Sequence, residues 1–173
     1  LIWGFIDHSD PNLTIRATRK ATLSKAADNH ADLYCIPSVG VYGLASTAAG
    51  HTRGMKPLAT VIRDAGGQIS LDCLMAFEIP GYGYYILAID DDGFINAETD
   101  ILLPDSESAR DHFRELQSLS NWRTVCAPAA WGVRDSITES LDLILNTSRS
   151  SCKLKDVSNK TSLRNGAIAL GVL

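Results

Sequence analysis

Between residues 69 and 77 large apolar side chains recur on every second position, and two turn sequences flank the apolar run at 84–89 that follows, a pattern that antiparallel β-structure satisfies and a helix does not. Ile69, Leu71, Cys73, Met75 and Phe77 alternate with polar or smaller residues, which predicts one face inward. Pro80-Gly81-Tyr82-Gly83 reverses the chain, residues 84–89 return as a second strand, and Asp90-Asp91-Asp92-Gly93 turns again into a third strand opening at Phe94-Ile95. A meander of this kind needs a cover for its apolar face, so the flanking sequence has to supply helices or a second sheet.

The flanks read accordingly. Residues 1–6 are apolar around Trp3 and predict a short buried strand, after which Asp10-Pro11 offers a helix cap with proline at the first helical position. The helix that follows mixes Leu13, Ala17, Ala21 and Leu23 with Arg16, Arg19, Lys20 and Lys25, a solvated basic face, and ends near Asp28-Asn29. Strand pieces over 33–36 and 39–44 surround Pro37, and a second helix spans about residues 56–65, ended by Gly66-Gly67. After the apolar run Ile101-Leu102-Leu103, Pro104-Asp105-Ser106 starts a helix carrying Ala109, Phe113, Leu116 and Leu119 at helical spacing. Residues 123–127 form a buried strand closed by Pro128, and Ser136 caps a last helix with Ile137, Leu141, Ile144 and Leu145. Strands and helices in this order define an α/β or α+β body with mixed sheets and flanking helices, without internal repeat.

From residue 147 to 165 the only aliphatic side chains are Leu154, Val157 and Leu163, whereas Arg149, Lys153, Lys155, Lys160 and Arg164 oppose Asp156 alone. This predicts a body over residues 1–146, in one piece or two small lobes, and a basic tether over 147–165. The tether runs into Gly166, Ile168 and Leu170 within the apolar stretch 166–173, and basic residues before an apolar onset mark the cytoplasmic side of a membrane span. A span needs about 20 apolar residues, so the segment 166–173 is expected to be the start of a truncated transmembrane helix, with Lys153, Lys155, Lys160, Arg164, Gly166, Ile168 and Leu170 as the membrane approach. No charged segment precedes an apolar stretch at the start, so no signal peptide is readable, and the natural beginning is expected to lie before Leu1.

The whole chain carries 16 basic and 20 acidic residues; setting aside the five and one of the tether leaves 11 against 19, a body at −8. Such a body repels phosphate backbones, which excludes nucleic-acid binding by counterion release and favours a basic protein face as partner. Cys35, Cys73, Cys126 and Cys152 are too far apart for a zinc knuckle, and the first three lie in apolar runs; buried thiols in a reducing compartment are expected. No glycine-rich turn feeds a helix as phosphate binding requires: Gly81-x-Gly83 sits between two strands and reads as a hairpin turn. Asp90-Asp91-Asp92 lacks the distal Glu of a calcium loop and reads as a solvated turn. Cys35 with His51, or Cys73 with His112, are pairings that any chain with four Cys and four His offers, and no GxSxG elbow exposes a serine. His8 beside Asp7 and Asp10 is a polar residue at a strand end, and Trp3, Trp122 and Trp131 read as packing anchors. No catalytic residue, cofactor site or metal site is expected.

Taken in order, several segments resemble the cytoplasmic domain of pilin accessory proteins of type IVb pili, the PilO/TcpD/BfpC kind. They are Leu1-Ile2-Trp3-Gly4, Tyr42-Gly43-Leu44-Ala45, Leu58-Ala59-Thr60-Val61-Ile62, Tyr84-Tyr85-Ile86-Leu87-Ala88-Ile89, Asp92-Gly93-Phe94-Ile95 with Asp100, and Val125-Cys126-Ala127-Pro128 with Ser140-Leu141. The resemblance implies a bitopic bacterial inner-membrane protein whose cytoplasmic part is a degenerate actin-like (ribonuclease H-like) domain, similar to that of the GspL component of type II secretion. Domains of that kind are non-enzymatic scaffolds that dock the assembly ATPase and other platform proteins. The implied partners are therefore the pilus assembly ATPase, platform proteins and the membrane through a C-terminal helix; a homodimer and the docking surface stay open. Asp91-Asp92-Gly93 contains the Asp-x-Gly of an actin-type phosphate loop without its Thr/Ser- and Lys-rich continuation. A divergent actin-like nucleotide-binding ATPase is the alternative reading, and a small-ligand sensor domain is a third.

Overall fold

The hairpin at residues 73–89 is the centre of one of two four-stranded sheets. The computed structural model describes residues 1–6, 13–66 and 71–157. Strands β4 (Cys73–Ile79) and β5 (Gly83–Ile89) pair antiparallel from Cys73 opposite Ile89 to Ile79 opposite Gly83. Gly83 closes the turn with φ +120°, where a Cβ would lie 2.1 Å from the Leu103 carbonyl oxygen, so only glycine fits. The sheet is completed by β6 (Ile101–Leu103) beside β5 and by β7 (Thr124–Cys126), parallel to β4, in the order β6-β5-β4-β7.

Two expectations for this region are corrected. The third meander strand is β6, not Phe94-Ile95: Ile95 makes a single bridge to Ile89 and the chain then bows outward. Side chains displace the ladder there, because the Ala88 N–H donates to Thr99 Oγ1 (2.7 Å) and the Asn96 N–H to the Ala88 carbonyl (3.0 Å). Nor is β4 buried on one face only. Cys73, Met75 and Phe77 face a core between the sheets, while Leu74 and Ala76 pack with Phe113 and Trp131 beneath α3 (Ser106–Leu119). Asp105 caps that helix by accepting the Ser108 N–H at 2.8 Å, which holds its carboxyl below the usual range. Ala109, Phe113 and Leu116 form its buried stripe, and Leu119 lies outside it, 73% exposed.

The second sheet has the order β1-β3-β2-β8, from β1 (Ile2–Phe5), β2 (Leu33–Ser38), β3 (Val41–Ala45) and β8 (Lys155–Asp156). Helix α1 (Ile15–Asp28) covers one face through Ala26 against Tyr34, Tyr42 and Leu44. Its buried Thr18 hydroxyl donates to the Thr14 carbonyl and accepts the Gly40 N–H at 2.9 Å, which seats the β2–β3 turn. The expected cap at Asp10-Pro11 lies outside the described residues; the helix begins at Ile15 behind Thr14, whose hydroxyl accepts the Ala17 N–H. Short helices α2 (Leu58–Arg63) and α4 (Leu141–Thr147) contribute Ala59, Ile62 and Ile144 to the core between the sheets. The cap of α4 is Ser140 rather than Ser136, which instead donates to the Val133 carbonyl at 2.8 Å while Ile137 bridges to Cys126.

The boundary expected at residue 146 also moves. Leu154 is 2% exposed within the inter-sheet core, β8 pairs with Leu33 and Tyr34, and the Ser148 and Ser150 hydroxyls donate to the Val61 carbonyl and the Asp64 carboxylate. Residues 148–157 thus belong to the folded body: one buried leucine and an edge strand with Lys155 and Asp156 exposed suffice to fasten a polar segment. The remainder of the expected tether and the apolar stretch 166–173 lie outside the described residues. Among the described residues no helix is long and apolar enough to cross a membrane.

Candidate functional site

An opening lies between the β1 edge of the second sheet and the bowed connection from β5 to β6. It is a groove of about 730 Å³, walled on one side by Trp3, Gly4, Phe5 and Val41 and on the other by Phe94, Ile95, Ala97 and Trp122, with Asp90, Asn96 and Glu98 among its lining residues. Strand periodicity explains the first wall. Trp3 and Phe5 share a face of β1; Trp3 is buried in the inter-sheet core, while Phe5, at the strand's end, is 73% exposed and meets Phe94 at 6.2 Å between ring centroids.

The second wall is set by turn chemistry. The Asp90 carboxylate accepts the Phe94 N–H at 2.7 Å and the Asp90 carbonyl accepts the Gly93 N–H at 3.1 Å, so the triple-aspartate turn presents Phe94 to the groove. Burial raises the Asp90 carboxyl above its ordinary value, offset in part by its hydrogen bond from Phe94. Asp91 and Asp92 are exposed on the same turn, as expected for a solvated turn, and Glu98 is exposed on the bowed connection. The result is an aromatic trough with an acidic rim.

Beneath the groove the two sheets are joined by one carboxylate. Asp100 accepts the Trp3 indole N–H at 2.6 Å and the Tyr85 hydroxyl, so one donor comes from each sheet. Burial, and then the Asp100 charge, push the Tyr85 phenol well above its usual value. Asp100 is among the residues of the family resemblance, but its bridging role has no sequence signal, because Trp3 is 97 residues away.

The remaining predicted residues fall elsewhere. Lys153 and Lys155 line a small polar pocket of about 150 Å³ with Asp64 and Cys152, on the β8 edge. Lys160, Arg164, Gly166, Ile168 and Leu170 lie outside the described residues. His51 Nδ1 sits 3.2 Å from the Ser46 carbonyl, whereas the thiol beside Cys35 is that of Cys152. His112 faces Glu115 at 4.0 Å on α3. Cys73 and Cys126 are buried, their thiols pushed up to about 12 and about 11 by burial. Trp3 and Trp131 are buried anchors, and Trp122 is half-buried with its indole N–H on the Leu116 carbonyl. No group of three or more His, Cys, Asp or Glu side chains suited to a metal ion occurs among the described residues.

Two sheets sharing one core, with a helix against the far face of each, define a mixed α/β domain. Among solved structures the chain is similar to the crystal structure of the cytoplasmic domain of BfpC, with a TM-score of 0.67 and 16% sequence identity over 90% of this chain and 89% of that one. The fold expected from the sequence resemblance is therefore the fold observed. No protein-family model matches the chain, and no curated protein matches it.

Proposed function

We propose that this chain is a non-enzymatic scaffold domain of the inner-membrane platform of a type IV pilus, which recruits the cytoplasmic assembly ATPase and couples it to pilin assembly. The observation that carries this reading is the fold likeness to the BfpC cytoplasmic domain over nine-tenths of the chain. The groove supports it with a surface suited to a protein segment: Phe5, Phe94 and Trp122 offer apolar anchorage, and Asp90, Asp91, Asp92 and Glu98 offer negative charge beside it. The occupant is a segment of the ATPase with an apolar face and flanking Lys or Arg. Complementary charge at the rim speeds encounter and makes it salt-sensitive. On this reading Lys160 and Arg164 approach the inner leaflet and residues 166–173 begin the anchor, so that the domain holds the ATPase at a high effective concentration beside the platform.

The test is capture of the purified assembly ATPase of the same pilus system by the full 173-residue chain, together with deletion of the gene. Salt-sensitive capture and loss of pili are expected. Failure of capture with normal piliation overturns the reading. A rise in melting temperature with millimolar magnesium ATP, accompanied by turnover, would favour the nucleotide-hydrolysing alternative instead.

A further inference from the structure

At the opposite edge of the sheet that carries the groove, two cysteines from distant parts of the chain meet. Cys35 lies on β2 and is fully buried; Cys152 precedes β8 and is half-buried at the small polar pocket that also exposes Lys153 and Lys155. Each thiol shifts the proton affinity of the other, as close neighbours do. The strand register explains the meeting. Leu33 is opposite Asp156 and Tyr34 opposite Lys155, so the residues before β8 run alongside the rest of β2, and Cys152 shares a small pocket with Ile36 and Pro37, the two residues after Cys35. Cys35 and Leu154 belong to the inter-sheet core, and Cys152 packs against it. Gly43 stands behind Cys35, where a Cβ would lie 2.9 Å from its sulfur, which leaves the thiol room.

The segment bearing Cys152 is fixed in place. Ser148 donates to the Val61 carbonyl at 2.7 Å, Ser150 to the Asp64 carboxylate at 2.6 Å, and the Cys152 N–H to Ser150 Oγ at 3.4 Å. Asp64 is in turn gripped by the Arg63 guanidinium through Nε and a terminal nitrogen at 2.9 and 2.7 Å. The groups facing Cys152 are therefore Cys35, Arg63, Asp64 and the Thr60 hydroxyl. The neighbouring Cys35 and then Arg63 lower the Cys152 thiol, against the effects of burial and Asp64, whereas Cys35 is pushed up by its neighbour Cys152 and by burial. The two thiols are also unequal in access: Cys152 is half-buried and Cys35 fully buried.

We propose that Cys35 and Cys152 form a reversible disulfide, a redox-modification site that locks residues 148–157 onto the sheet. The oxidant is a low-molecular-weight disulfide of the glutathione class. The Cys152 thiolate attacks one of its sulfurs, forming a mixed disulfide and expelling one thiolate, which takes up the proton Cys152 lost. Cys35 then loses its proton, attacks the Cys152 sulfur and expels the second thiol. Two protein thiols are oxidised with loss of two electrons and two protons, and the small disulfide is reduced to two thiols. The bond joins the second strand to the segment just before the last one and leaves the groove residues untouched, so the site stands independently of the docking reading.

The experiment incubates the full chain across a series of oxidised-to-reduced glutathione ratios, followed by intact mass and peptide mapping. The expected product is two hydrogens lighter, contains a linked Cys35–Cys152 peptide, melts roughly 5–10 °C higher and reverts with a dithiol. Cys35→Ser should accumulate the glutathione adduct at Cys152, and Cys152→Ser should give neither adduct at Cys35 nor crosslink. Alkylation of the unmodified chain, which needs no variant to fold, should label Cys152 at least about tenfold faster than Cys73 or Cys126. Stable glutathione adducts without the linked peptide, crosslinks to other cysteines, or equal labelling of all four thiols overturn the proposal.

Discussion

The two sheets have four strands each, but they are assembled from the chain in different ways. The sheet built on β4 and β5 rests on a contiguous hairpin whose two seven-residue strands pair throughout, and both faces of β4 are buried. The sheet of β1, β3, β2 and β8 draws its two edge strands from opposite ends of the chain; one is four residues long and ends in an exposed phenylalanine, the other is two residues of a basic segment. A local hairpin closes little loop entropy for the area it buries, so it makes the firm half of the core. Distant edges make the adaptable half, and both the groove and the cysteine pair lie along them.

That contrast can be attacked at its strongest point first. Phe113→Ala empties a fully buried site where the ring meets Trp131 edge-on at 5.5 Å, and is expected to cost about 3–5 kcal/mol in denaturant unfolding. Leu154→Ala, in the segment whose composition resembles a tether, is expected to cost roughly 2–4 kcal/mol. A loss under about 0.5 kcal/mol, the level of a surface change, would return that segment to the status of a tether. Next comes the joint between the sheets. Trp3→Phe keeps the apolar bulk and removes the indole donor from Asp100, at an expected cost of about 1–3 kcal/mol, with the Tyr85 hydroxyl left as the other donor. Unchanged stability would show that the sheets do not depend on that bridge.

A more gradual effect appears in alkali. The Cys73 and Cys126 thiols, raised in the folded protein from 9.0 to about 12 and about 11, keep their protons where those of the unfolded chain have lost them. Their contribution to stability is full below pH 9 and declines as pH rises through the folded values, because unfolding then releases protons. Urea midpoints measured from pH 8 to 11 should fall, and Cys73→Ala should flatten the slope whatever it does to the midpoint itself. A slope identical to that of the parent would remove these thiols from the account.

The same contrast separates what is legible in the amino-acid sequence from what is not. The hairpin, α3 with its Asp105 cap, and the buried thiols are legible because periodicity and turn chemistry act over a few residues. The second buried face of β4 is not, since Leu74 and Ala76 stand at the alternate positions of a one-faced pattern and only α3 makes their side an interior. The third strand comes later than apolar spacing predicts because Thr99 and Asn96 take over the bonds of Ala88, a competition that spacing does not encode. Ser136 and Ser140 are equally good caps by residue type, and the bridge from Ile137 to Cys126 decides between them. The groove unites Phe5 with Phe94 and the thiol pair unites Cys35 with Cys152, separations across which sequence carries no local signal.

The smallest effect on stability should accompany the largest on binding. Phe5→Ala and Glu98→Lys, both at exposed side chains, are expected to change unfolding by no more than about 0.5 kcal/mol each. The most direct measurement is calorimetric titration of the pilus assembly ATPase into the full chain and into the double variant at two salt concentrations. Docking in the groove predicts salt-sensitive binding to the parent and at least about tenfold weaker binding to the variant. Binding of equal strength to both, or none to the parent, would contradict it.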